Sequence, residues 1–395
     1  MSDDREDQAL LTALAAAGLA GVQPGQVVQG GGPGGPLVVT SSEQPERADD
    51  RRHDLSERPV GAATGVGSLP GTDPREAAAT VVGELPELPH LPELPERGVG
   101  ADMIGRAAAV LVDLAVEVVP TGYRTTARPG RDHRRAVDLL QADLDAFQEA
   151  CERARPKWVK VQVTGPWTLV AEVELPTGHR VLTDHGAVRE FTQSLVEGLR
   201  AHVAEVAART GARVVVQLDE PSLPAVLDGT VPTPSGYGTV DAVPEPDAQD
   251  VLRSLVGALD VPVVVHCCAA EPPVRLLAGA GFAAIGVDAT LPSITGPAAE
   301  TAMLDALGEV WDAGTPLMLG LVPALEPDAE PGVRDLARRA FDLADRLGFD
   351  HTRLGELVIP TPACGLAGAT PRWARRAMAL TRELGKAFVD PPETW

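Results

Sequence analysis

The stretch Val261-Pro-Val-Val-Val-His266-Cys267-Cys268 decides how this 395-residue chain is read. A β-branched apolar run of this length reads as a buried strand, and it stops abruptly on three metal-capable side chains. Side chains alternate along a strand with a period of two, so His266 and Cys268 project to one side and Cys267 to the other. An imidazole presented beside a soft thiolate suits Zn²⁺. Two ligands do not make a site, and the chain offers two more groups at the ends of later apolar runs, Asp288 and Cys364. His266, Cys268, Asp288 and Cys364 are therefore the candidate ligands of a zinc ion that activates a thiol. Cys267 is expected to be packed, and Cys151 lies within a helical pattern.

Working outward, strand-like runs recur at Ala63–Ser68, Ala115–Pro120, Trp158–Thr164, Val214–Asp219, Val261–Cys267, Ala283–Asp288, Leu317–Val322 and Leu354–Pro360. Most precede an amphipathic stretch, as at Arg134–Ala154, Gly186–Arg209, Ala298–Ala313 and Gly332–Leu347, whose apolar positions recur every three or four residues. Such β/α alternation predicts an α/β fold, a (β/α)8 TIM barrel, with an open doubly wound sheet as the runner-up. No Gly-x-Gly-x-x-Gly opens the first helix, which speaks against a dinucleotide site.

Two segments interrupt the pattern. Residues 1–60 combine a possible short helix near Gln8–Leu19 with Gly/Pro and charge blocks, which bury too little surface to offset ordering entropy. They are expected to form a disordered tail, followed by a barrel over 61–395. Within the barrel, an insertion at 84–97 reads Glu84-Leu-Pro-Glu-Leu-Pro-His-Leu-Pro-Glu-Leu-Pro-Glu96, with proline at 86, 89, 92 and 95. Period-three proline favours polyproline II. The expectation is a stiff strap that packs its leucines on the barrel, ahead of a docking segment for a partner's aromatic groove.

Composition narrows the class. A formal net charge of −22 argues against non-specific nucleic-acid or anionic-membrane binding, both of which need a cationic face. No apolar run approaches the ~18 residues of a membrane span, and the acidic N-terminus is unlike a secretory signal. A cytoplasmic protein is expected. Four cysteines are too few for a disulfide framework in a chain of this length.

In a (β/α)8 barrel the chemistry sits where strands end, and here the predicted strand ends carry Gly65-Val-Gly-Ser68, Thr164-Gly-Pro-Trp-Thr168, Gln217-Leu-Asp219-Glu220-Pro-Ser222, His266-Cys-Cys268, Asp288 and Cys364-Gly. Asp219 can hold a substrate ammonium group or serve as a general base, while Glu220 reads as an anchor for its loop. Val66, Gly67 and Ser68 form a glycine-rich strand end whose backbone N–H groups could receive a carboxylate. Each motif has a plainer reading. Asp288 could cap a helix, the thiols could be buried and unligated, and the glycines could serve only a tight turn.

With these residues assembled, the chain resembles the catalytic domain of the cobalamin-independent methionine synthase family, and most closely its short, single-barrel members. The resemblance runs from about Ala62 to the C-terminus. It rests on His266-x-Cys268 with a distant Cys364-Gly, Gln217-Leu-Asp219-Glu-Pro-Ser-Leu, Thr164-Gly-Pro-Trp-Thr-Leu169 and Val66-Gly-Ser68-Leu-Pro. It implies zinc on His266, Cys268 and Cys364, with Asp288 where the family has a glutamate ligand. It further implies homocysteine as substrate, its amino group on Asp219 and its carboxylate on Val66, Gly67 and Ser68. The methyl group would come from a methyltetrahydrofolate polyglutamate or a methyl-corrinoid.

The chain departs from the family at three positions. Glu172 stands where the folate-stacking tryptophan is expected, Ala225 replaces a folate-contacting glutamate, and Val322-Pro323 occupies the region of a relay histidine. Trp167 is the candidate to stack on a pterin instead. Three readings follow: a zinc-dependent thiol methyltransferase forming methionine, a uroporphyrinogen decarboxylase-like or corrinoid-dependent enzyme on the same barrel, and a non-catalytic zinc-binding barrel.

Overall fold

The computed structural model describes residues 55–296 and 299–390 and, ahead of them, the backbone of two short strands. Those strands, β1 (Val27–Gln29) and β2 (Val38–Thr40), pair antiparallel within a unit of their own, residues 1–51. The helix expected near Gln8–Leu19, and the rest of the expected tail up to residue 54, lie outside the described residues. The second unit begins at Arg52, and Leu55 is already buried in it.

That unit alternates helices and strands. α1 (Pro74–Glu84) starts where Asp73 accepts the Arg75 and Glu76 amides, with Pro74 at its first position. This is the usual chemistry of a helix N-terminus. α2 (Met103–Val110), β3 (Ala115–Val119), β4 (Gly122–Thr126) and α3 (Arg131–Ala154) follow. Then come β5 (Trp158–Thr164), α4 (Pro166–Glu172), β6 (Val173–Glu174), α5 (His185–Thr210) and β7 (Arg213–Asp219). The last third carries α6 (Glu245–Gly257), β8 (Val263–Cys267), α7 (Val274–Gly279), β9 (Ala284–Val287) and α8 (Thr301–Asp312). It closes with β10 (Leu317–Val322), α9 (Val333–Leu347), β11 (Val358–Pro362) and α10 (Pro371–Val389). Among the described residues no helix is long and apolar enough to cross a membrane.

Six strands form one parallel sheet in the order β11-β10-β9-β8-β7-β5. One sequence expectation fails here. Ala115–Pro120 is not a strand of this sheet: β3 turns straight back into antiparallel β4, which pairs in parallel with β6. Only Pro120 and Thr121 separate β3 from β4, and Gly122 at φ 134° absorbs the reversal. A two-residue link permits a hairpin and leaves no room for the crossover that parallel pairing needs.

Two extended segments, 63–69 and 89–93, meet the edges of the sheet. The Thr64 amide donates to Pro360 of β11 (3.2 Å), Leu91 donates to Lys160 of β5 (2.8 Å), and Lys160 donates back to Pro89 (2.8 Å). The segments also join each other, Leu69 donating to Glu93 (2.8 Å) and Glu93 to Gly67 (3.2 Å). The proline-rich stretch is thus a strand-like stave. Proline has no N–H to give, but the period of three leaves Leu91 and Glu93 free to donate toward opposite neighbours. Leu85, Leu88, Leu91 and Leu94 are all buried, as the strap reading expects, so they are not available to a partner's groove.

The helices cover the outer face of the sheet through residues such as Val159, Val161, Val163, Val214, Val216 and Val265. The inner face carries a separate apolar plug of Trp158, Val215, Val264, Ala284, Met318 and Ile359, one residue from each strand, with Leu55, Ala62 and Leu88 beside them. One step further along the strands the inward residues turn polar: Lys160 and Gln162 on β5, Gln217 on β7 and Thr361 on β11, all buried. Beyond β7, Glu220 is fully buried and accepts hydrogen bonds from the Trp167 amide (3.0 Å), the Thr168 amide (2.7 Å) and the Thr168 hydroxyl (2.7 Å). It therefore fastens the start of α4. Gly165 is required beside it, because a Cβ there would stand 2.3 Å from the Glu220 carboxylate.

Two outcomes are expected. Leu91→Ala should destabilise the fold by about 2–5 kcal/mol in denaturant unfolding, the cost of a core truncation; a surface strap would lose far less. Glu220→Ala should cost at least ~2 kcal/mol in the same measurement, because it leaves buried amide donors without an acceptor.

Candidate metal centre

Parallel pairing sets the site. In register, Thr164 of β5 faces Asp219 of β7, Asp219 faces His266 of β8, and His266 faces Gly286 of β9. The Asp219 and His266 side chains meet across that step, with Oδ1 3.1 Å from Nδ1. A carboxylate can only accept here, so Nδ1 carries the proton and the lone pair sits on Nε2. His266 Nε2 is buried and has no protein partner. Burial alone would lower the His266 pKa, but the Asp219 carboxylate more than offsets it and the net shift is upward.

The ligand atoms of His266, Cys268 and Cys364 all lie within 4.8 Å of one another. Cys268 follows β8 at the period-two position, and Cys364 arrives on the loop just past β11. Their sulfurs are 3.3 Å apart and hydrogen-bonded. Two thiols this close release their protons unequally. The hydrogen bond between them, with His266 nearby, lowers the Cys364 thiol against the opposing effect of burial, while the same bond and burial push Cys268 upward. Cys267 is fully buried in the core, and burial raises its thiol to about 12. Cys151 is likewise buried.

Asp288 is the expected ligand that the structure does not bring to this group. Its Oδ1 accepts from the Thr290 amide (2.8 Å) and the Thr290 hydroxyl (2.6 Å). A carboxylate ending a strand closes its own turn when a hydroxyl residue follows two positions on. That local turn holds Asp288 away from the group, and it is not the helix cap of the plainer reading, since the next helix starts only at Thr301.

Val66, Gly67 and Ser68 line a cavity of about 290 Å³ together with Glu93, Asp219, His266, Cys268 and Cys364. The Gly67 and Ser68 amides donate to no backbone carbonyl among the described residues. The loop carrying Cys364 is clamped to this stretch, Leu366 donating to the Ser68 carbonyl at 2.8 Å. A Cβ on Gly365 would lie 2.1 Å from Ser68 Oγ, so a side chain there would force the Ser68 hydroxyl to turn away. Asp219 Oδ1 is held a second time, by Gln217 Nε2 at 2.7 Å.

Glu93 was not expected in the site. In the Glu-Leu-Pro repeat it looks like its neighbours, yet Glu87 and Glu96 are exposed while Glu93 faces Arg106 at 3.5 Å with little exposure. Arg106 is itself fixed by buried Asp143 of α3, which also binds Arg97 at 2.7 Å. Burial raises the Glu93 pKa, opposed first by Arg106. Of the positions where folate contacts are expected, Ala225 and Val322 pack in or against the core, and the Glu172 carbonyl accepts from Arg180 at 2.7 Å. Trp167 is buried and donates from Nε1 to the Ala248 carbonyl (3.1 Å). It packs in the core and does not line the cavity that holds His266, Cys268 and Cys364.

None of the curated proteins matches the chain. A solved B12-independent methionine synthase from Shewanella sp. W3-18-1, in complex with selenomethionine, is similar in fold at 12% identity and a TM-score of 0.50, over 83% of this chain and 97% of that one. A methyltransferase from Methanosarcina mazei matches at 16% identity and a TM-score of 0.45, over 81% of this chain and 93% of that one. The family model described as the cobalamin-independent synthase catalytic domain matches residues 61–387. The chain thus belongs to the cobalamin-independent methionine synthase catalytic-domain family.

Proposed function

We propose that the chain is a zinc-dependent S-methyltransferase that forms methionine by methylating the thiol of homocysteine. The observation that carries this reading is the convergence of His266, Cys268 and Cys364 within 4.8 Å, with the buried His266 Nε2 unpartnered. One nitrogen and two sulfurs are a donor set that suits Zn²⁺, and three protein ligands leave a fourth position for substrate. Asp219 on Nδ1 supplies the carboxylate support that metal-binding imidazoles use. Zn²⁺ held by His266, Cys268 and Cys364 would supply the Lewis-acid charge that favours the thiolate of an incoming thiol, which at a pKa of ~8.5 is otherwise mostly protonated at neutral pH.

The remaining work falls to this chain's side chains and backbone. Asp219 Oδ1 is taken by His266 and Gln217, which leaves Oδ2 for the substrate ammonium. Glu93 adds a second negative charge to the same wall of the cavity. The amides of Gly67 and Ser68, with Val66, receive the substrate carboxylate. Holding both ends of so small a molecule points its sulfur at the Cys268–Cys364 end and converts methyl transfer into a positioned displacement. Asp288 stays with its turn and is not required as a ligand.

The sheet is read as a complete (β/α)8 barrel, with 63–69 and 89–93 as its first two staves; the backbone bonds to β11 and β5 support that closure. The donor is a methyltetrahydropteroylglutamate. Membership of a cobalamin-independent family gives no support to the corrinoid alternative.

Purified protein is expected to carry one zinc per chain by metal analysis and to make methionine from homocysteine and the folate donor. Cys364→Ser should lose zinc and activity together; a variant that keeps stoichiometric zinc defeats the ligand assignment. Asp219→Asn, which leaves all three ligands in place, should weaken zinc binding by roughly 10- to 100-fold in a chelator competition. A zinc-loaded wild type that transfers no methyl group to homocysteine would favour the non-catalytic barrel.

A further inference from the structure

Lys160 is fully buried, and neither the metal group nor the cavity lining includes it. It sits on β5 one residue step above the apolar plug, between that plug and the cavity. Its Nζ donates to the Val66 carbonyl at 3.0 Å and to Gln162 Oε1 at 3.3 Å. The same carbonyl accepts from Gln217 Nε2 at 2.9 Å, so both of its lone pairs are taken from below. Gln162 is anchored in turn to the Leu91 carbonyl, and its side chain lies under Gly67, where a Cβ would be 2.9 Å from Gln162 Cγ.

A buried ammonium is costly unless it is paired and hydrogen-bonded. An aliphatic side chain of the same length would pack against the plug without that cost. Burial works against the charged form of Lys160, and the carboxylates of Asp219 and Glu93 favour it. Two carboxylates suit a substrate ammonium but repel a substrate carboxylate, and the cavity is too small to keep the two ends far apart. A cation directly behind Val66 offsets that repulsion where the substrate carboxylate lies, and its hydrogen bond fixes the carbonyl so that the following amides face the cavity.

We propose that Lys160 is a positioning residue for the carboxylate end of the thiol amino acid, acting through the Val66 carbonyl and through its charge. This rests on the methyltransferase reading above, in which Val66, Gly67 and Ser68 receive that carboxylate. A structural cation alone would support the fold without distinguishing one thiol from another.

The test compares two thiols on zinc-loaded protein by titration calorimetry: L-homocysteine, and 3-aminopropane-1-thiol, which has the same thiol and amine but no carboxylate. Lys160→Met should weaken homocysteine binding by ~10- to 100-fold, the range expected for losing a hydrogen bond to a charged group. It should change 3-aminopropane-1-thiol binding by less than about threefold, with zinc content unchanged. Lys160→Gln keeps a donor toward Val66 but no charge and should fall between wild type and the methionine variant. If the methionine variant does not fold, the glutamine variant carries the same comparison. Equal losses for the two thiols, or loss of zinc from a folded variant, would overturn the assignment while leaving the methyltransferase reading intact. A wild type that binds neither thiol would overturn both.

Discussion

The hydrogen bond between Asp219 and His266 is the interaction on which the site depends, and it follows from strand register alone. Neighbouring parallel strands place the two residues level, both on the inner face, so the carboxylate has one nearby nitrogen to accept from. That single contact fixes the tautomer and leaves Nε2, buried and without a protein partner, as the imidazole atom that carries the free lone pair. A slip of either strand by one residue would send its side chain to the outer face, among the valines that pack under the helices. The apolar plug therefore serves the chemistry indirectly: it is what locks the register.

Much of this was legible in the sequence, because strand periodicity is a strong local signal. His266 and Cys268 share a face by counting alone, and Cys364 follows just after the last strand. What failed did so for reasons that spacing cannot carry. Asp288 has the right residue type at the right strand end, but Thr290 two positions later offers its carboxylate a closer bond. Ala115–Pro120 has the composition of a buried strand, and the two-residue link to Gly122 decides its partner. Glu93 is chemically identical to the other glutamates of its repeat. Only pairing with both neighbouring segments reveals that it faces the cavity while Glu87 and Glu96 face solvent.

The proline-rich stretch shows how one pattern can meet two demands. Leucines at 85, 88, 91 and 94 fill the interior, and prolines at 86, 89, 92 and 95 stiffen the backbone. The amides at 91 and 93 still reach the backbone on either side. A strap lying on the surface and a stave within the sheet share the same hydrophobic content and differ only in where the backbone bonds go. Charge is distributed with similar economy. The chain is strongly acidic overall, yet two of its buried cations, Arg106 and Lys160, stand behind the two carboxylates of the cavity.

The way the staves meet the sheet also bears on how the chain assembles. Before residues 63–69 and 89–93 dock, β11 and β5 each present a full row of open backbone groups, a template onto which another chain can add. Both segments precede the sheet whose edges they meet, so they are synthesised first and must wait for strands that emerge later. β11 comes almost three hundred residues after the segment that covers it. A stave rich in proline has few amides of its own to offer a wrong partner during that interval, which protects the nascent chain from self-association at the cost of a thinner hydrogen-bond seam in the finished fold.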